Sequence, residues 1–116
     1  MPDGSSSSVR IFYPPYDRDS LLVMLRRRLA ELQAELPVIR AVLFGSYATG
    51  RQTVDSDIDL LLVYAGAPRD DAYVLARRTL ALPRLEPHLY TEGEYQQARE
   101  TVDRMIRDGI PIAFTP

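Results

Sequence analysis

With 116 residues the chain has room for one domain with its own core and little space for a second. It carries 14 cationic and 16 acidic residues, for a formal net charge of −2, and has no cysteine. Disulfides and thiolate metal sites are thereby excluded, the cytoplasm is the expected compartment, and polymeric nucleic acid, which calls for a basic excess or stripe, is not expected as the main partner. No apolar run approaches the ~20 residues of a membrane helix, so no membrane partner is expected either.

Met1 to Ser8 is polar and serine-rich, without the basic start and apolar centre of a secretory signal, and reads as a disordered tail; the domain is expected over residues 9–116. Val9 to Tyr13 has strand character and is ended by Pro14 and Pro15. Asp17 or Asp19 then caps a helix in which Leu21, Leu25, Leu29, Leu32 and Leu36 draw one apolar stripe, with Pro37 as its stop. Arg26, Arg27 and Arg28 are consecutive on this helix. At ~100° per residue they splay around it as a solvated face rather than one anion patch.

Val38 to Phe44 is a β-branched, apolar strand ending at Gly45-Ser46, and Gly45 to about Arg51 is a tight polar turn with room for one helical turn. Ile58 to Val63 is a second strand whose unbroken apolar run implies cover on both faces, as in a central position. Asp70 or Asp71 opens a helix carrying Val74, Leu75, Arg78 and Leu82, ended by Pro83. Leu85 to Tyr90 is a third strand, placed at or near an edge by Pro87. Thr91 and Glu94 form a capping box for a last helix with Tyr95, Ala98, Val102, Met105 and Ile106 on its buried stripe. Gly109 ends it, and the tail has the option of one more short strand. Strands and helices in this order predict a small α/β domain, one mixed sheet backed by helices.

The chemistry is concentrated between Phe44 and Val63. Asp57 and Asp59 flank Ile58 at a strand start, so both side chains leave the same face, with Cα atoms ~6.5 Å apart. Carboxylates so placed can converge on one hard cation, and Mg2+ favours oxygen ligands shared with substrate phosphates. Ile58 and Leu60 point the other way, into the core. Gly45 follows a buried strand where the chain must turn sharply, and its bare backbone, with the Ser46 hydroxyl, can hold the phosphates of a triphosphate. Either half by itself is ordinary, a turn or a solvated strand end. Together they supply a triphosphate cradle and its metal. Arg51, just past the turn, is either a phosphate contact or a surface arginine, and Asp55 is read as a turn residue.

Gly45-Ser46, ten intervening residues, then Asp57-Ile58-Asp59 resembles the signature of the DNA polymerase β-like nucleotidyltransferase superfamily. Ala48, Gly50 and the run Ser56 to Leu60 match its fuller form, and the short length is similar to the minimal nucleotidyltransferases of bacteria and archaea. The resemblance implies a Mg2+-dependent enzyme (two ions) that moves a nucleoside monophosphate, AMP from ATP, to a hydroxyl acceptor. It also implies a third carboxylate on a later strand. Glu86 is the acid inside the third strand and receives that role, although many relatives carry Asp there; an edge-strand acid facing water is the plain alternative. His88, on the same face two residues on, is within reach of the site but is read as a packed or half-exposed strand histidine. Minimal members resemble antitoxins that silence a helical HEPN ribonuclease partner by modifying a tyrosine. A small-molecule nucleotidyltransferase and a non-catalytic module that masks its partner are the competing readings.

Overall fold

The computed structural model describes residues 16–114. The expected tail 1–8 and the strand expected over Val9 to Tyr13 lie outside them. Helix α1 (Arg18–Leu32) starts where Asp17, not Asp19, accepts a 2.8 Å hydrogen bond from the Ser20 amide. Its stripe Leu21, Leu25, Leu29 and Leu32 is fully buried, as is Leu36. The helix ends earlier than Pro37 suggests. Residues 33–36 tighten into turns, with Ala34 N bonded to Glu31 O and Glu35 N to Leu32 O, because the residue before a proline must leave helical geometry.

Strands β1 (Val38–Phe44), β2 (Ile58–Tyr64), β3 (Leu85–Thr91) and β4 (Ile110–Pro111) form one sheet in the order β3-β2-β1-β4. β1 is antiparallel to β2 and β4, whereas β2 and β3 are parallel, so the sheet is mixed. The unbroken apolar β2 is interior, and Pro87 lies on an edge strand, where its missing donor costs least. The parallel pair requires a crossover, supplied by helix α3 (Ala72–Leu80). Between β1 and β2 lies the four-residue helix α2 (Ser46–Thr49).

Two clusters cover the two faces of the sheet. On one face α1 and α3 pack over Ala41, Leu43, Ile58, Leu60, Leu62 and Leu85. On the other, helices α4 (Glu92–Gln97) and α5 (Arg99–Met105) bring Tyr95, Val102 and Ile106 onto Val42, Phe44, Leu61 and Val63. Both bonds of the Thr91/Glu94 capping box are present, at 2.8 and 3.0 Å.

Three helical expectations need correction. The last helix is two, broken at Ala98, which lets Tyr95 and Val102 both reach the sheet. α3 ends at Ala81 in a left-handed conformation, so Leu82 is buried from beyond the helix, short of Pro83. Val74 is 57% exposed, since only Leu75 of the adjacent pair faces the sheet. Asp71 is the N-cap position of α3, yet its carboxylate takes both bonds from Arg69 rather than capping an amide, and those bonds hold its carboxyl below the usual carboxylate range. No helix among the described residues is long and apolar enough to cross a membrane.

Candidate active site

The site is built at one end of β1 and β2. Gly45 leaves β1 with φ +79° and ψ −154°, a conformation side chains rarely adopt. It also has no space for a side chain, because a Cβ there would stand 2.5 Å from Asp59 Oδ2. The carboxylate of Asp59 therefore lies directly against the bare turn. α2 follows at once. It is anchored by Tyr47, whose ring is fully buried, and by Arg18, which donates to the Ala48 carbonyl at 2.9 Å. Gly50, at φ +76°, closes the turn, and Arg51 N bonds to Ser46 O at 2.9 Å. Gly45 and the Arg51 side chain are exposed, and Ser46 is half-buried, so this turn is open to a ligand.

Burial pushes the Tyr47 hydroxyl above the ordinary tyrosine range, helped by Tyr16 and opposed by Arg84. The hydroxyl has no hydrogen-bond partner among the described residues.

Strand register sets which side chains meet. Phe44 lies opposite Asp59 in the β1–β2 pair, and Glu86 is the register partner of Asp59 in the β2–β3 pair. Partners share a face, so Asp59, Glu86 and, two residues on, His88 all stand on the α4–α5 side of the sheet. Glu86 is exposed. The side chain that touches Asp59 is His88, with Nε2 3.3 Å from Oδ1. The His88 ring also meets the Phe44 ring edge-on, with centroids 4.9 Å apart and planes at 61°.

Asp57 lies just before β2, exposed, with Oδ1 3.5 Å from Arg84 Nη2. Arg84 precedes β3 with φ +63° and braces the loop before β2. Its guanidinium donates to the carbonyls of Asp55 and Ser56, and its own carbonyl accepts from Ile58 N at 2.8 Å. Asp55 is a turn residue, as expected, with its amide bonded to the Thr53 hydroxyl.

Asp59 thus lies against Gly45, which Ser46 follows in the chain, while Asp57 pairs with Arg84 and Glu86 is exposed on the adjacent strand. No three of the His, Asp and Glu side chains among the described residues are drawn into a ready metal cluster. The donors nevertheless suit a divalent cation. Asp59 presents oxygen over the bare turn, His88 a ring nitrogen beside it, and Asp57 is held by an exposed ion pair of the kind worth ~0–1 kcal/mol, which a cation outcompetes.

Arg84 carries no motif in the sequence, and its role follows from its left-handed backbone just ahead of β3. His88 is within reach of the site by sequence but reads there as a packed or half-exposed strand histidine; the β2–β3 register is what brings it to Asp59.

On the same sheet face, away from Gly45, Tyr95 joins Arg40 and Asp103. Arg40 Nη1 donates to the Tyr95 hydroxyl at 2.7 Å, and the hydroxyl donates to Asp103 Oδ1 at 2.6 Å. This network borders a cavity of about 370 Å³.

The family described as nucleotidyltransferase domain matches residues 24–108. The fold is similar to a protein described as a nucleotidyltransferase from Sulfolobus solfataricus, with TM-score 0.55, 20% identity, and 96% of this chain and 89% of that one covered. It is also similar to a toxin–antitoxin structure with AMP-PNP, with TM-score 0.55, 21% identity, and 78% and 73% covered. A toxin–antitoxin MntA–HpeT mutant, in which two aspartates two positions apart are replaced by glutamate, gives 0.52 at 19% identity, with 86% and 75% covered. At these identities the likeness is one of fold. No curated protein matches the sequence.

Proposed function

The chain belongs to the nucleotidyltransferase domain family, and from that premise we propose that it transfers AMP from ATP to a hydroxyl of a protein acceptor, a tyrosine of a helical HEPN-type toxin, and so acts as an antitoxin. The observation that carries the proposal is the Asp59 carboxylate seated against Gly45, which puts an anionic cation-binding group on the turn suited to phosphates. Two toxin–antitoxin structures among the neighbours, one with an ATP analogue, support the partner class and the nucleotide.

In this reading Gly45 and Ser46 receive the β- and γ-phosphates through backbone amides and the Ser46 hydroxyl, and Arg51 adds a charge-assisted bond. Asp57, Asp59 and Glu86 form the acidic group that would hold divalent cations. Such cations, when bound, would ease loss of the acceptor hydroxyl's proton as its oxygen bonds to the α-phosphorus, and would neutralise the pyrophosphate that leaves as the α–β phosphoanhydride bond breaks. Arg84 positions Asp57 by fixing the loop on which it sits. Phe44, opposite Asp59 in the β1–β2 pair, meets the His88 ring edge-on and so borders the Asp59 side of the site. The protein mostly orients and neutralises, as transfer at phosphorus requires.

The test is transfer from ATP labelled at the α-phosphate to a co-purified helical partner, followed by mass spectrometry for an added AMP on tyrosine. Asp57→Asn and Asp59→Asn are expected to abolish labelling with the fold intact; full labelling in both variants refutes the mechanism. A second reading, a module that masks its partner without chemistry, is favoured by one observation. A ring nitrogen touches Asp59, while Asp57 is engaged by Arg84. Neutralisation of the partner with no AMP added, in wild type, would establish that reading instead.

A further inference from the structure

We propose that His88 Nε2 completes the cation site beside Asp59, making it a mixed oxygen–nitrogen site that prefers manganese, cobalt or zinc to magnesium. The proposal rests on the reading that Asp59 holds a cation, and it deepens that reading by assigning the position next to Asp59 to an imidazole, with Glu86 at the rim.

The geometry on β2 and β3 supports it. The two oxygens of Asp59 face different neighbours: Oδ2 lies in the space a Gly45 side chain would need, and Oδ1 is 3.3 Å from His88 Nε2. The two side chains are 29% and 33% exposed, so the pair is not sealed from solvent. Phe44 meets the His88 ring edge-on and restrains its plane, which directs Nε2 toward the carboxylate. An exposed or half-exposed His–Asp pair by itself contributes little to folding. As a ligand pair it is well formed, because one cation can bridge an oxygen and a nitrogen held this close.

The donor types determine the preference. Magnesium favours an all-oxygen shell, and carboxylates suit it, whereas imidazole favours later first-row divalent ions. An imidazole where a carboxylate would otherwise stand also removes one negative charge, which weakens hold on a hard cation most.

The chain contains one histidine, so 15N-histidine labelling of tag-free protein marks His88 alone. Manganese, added without nucleotide, is the probe. Pulsed electron paramagnetic resonance of the labelled wild type is expected to show 15N hyperfine coupling, and Asp59→Asn to lose the bound ion. In competition binding, His88→Asp is expected to lower the manganese-over-magnesium affinity ratio by ~10-fold or more, at least the size that a change in a ligand's outer-shell partner already produces. Manganese bound through Asp59 with no 15N coupling overturns the proposal and leaves the cation reading in place. Manganese binding that is absent, or unchanged in Asp59→Asn, overturns both. The labelled wild type decides the matter even if a variant fails to fold.

Discussion

Gly45→Ala separates strain from site geometry. Two penalties meet at this position: φ +79° with ψ −154° is unfavourable for any side chain, and the new Cβ would lie 2.5 Å from Asp59 Oδ2, about 0.9 Å inside ordinary van der Waals contact. Backbone strain of this kind costs ~1–3 kcal/mol and local overpacking a similar amount, so ~2–4 kcal/mol in total is expected after relaxation. Asp59 is the softer of the two parties and should move, and a displacement of nearly an ångström in a catalytic group costs ~10²-fold in rate. Gly50→Ala is the matched control, since it has φ +76° but nothing within 4 Å of its Cβ. It should cost only the strain, ~1–2 kcal/mol, and leave Asp59 in place. Urea denaturation gives both stabilities, and the proposed AMP transfer to a partner reads the site. If Gly45→Ala matches Gly50→Ala within ~0.5 kcal/mol and retains full transfer, Asp59 does not depend on the bare turn and the site geometry argued here is wrong.

Two further outcomes concern the core and the second sheet face. Tyr95→Phe removes the hydroxyl that links Arg40 and Asp103, and is expected to lose ~1–2 kcal/mol in urea denaturation with transfer unaffected; loss of transfer at full stability would tie that network to the site. Tyr47→Phe deletes a buried hydroxyl without a partner among the described residues, so stability should stay within ~1 kcal/mol of wild type or rise. Because the folded pKa of Tyr47 is raised, the neutral form is favoured in the native state. Its contribution is present below the unfolded tyrosine pKa of ~10 and is lost as pH climbs above it. Thermal melts across alkaline pH should therefore fall less steeply for Tyr47→Phe than for wild type, and parallel slopes would contradict the burial argument.

Much of the architecture follows from local rules and was legible in the chain. The leucines of α1 recur at helical spacing, β2 is apolar on both faces, Pro87 excludes β3 from the sheet interior, and Thr91 with Glu94 writes a capping box. The turn at Gly45 and the start of β2 at Ile58 were legible for the same reason, since backbone freedom and strand alternation act over a few residues. Helix ends were less so. Ala81 and Ala98 carry no breaking signal, and the chain bends there because Leu82, Tyr95 and Val102 each need a place in the core. What only tertiary structure decided is who stands beside whom. His88 meets Asp59 across 29 residues and Arg84 meets Asp57 across 27. Those meetings depend on the parallel register of β2 with β3 and on the left-handed residue that launches β3. Register is a property of two strands packed together, so neither strand's sequence contains it alone.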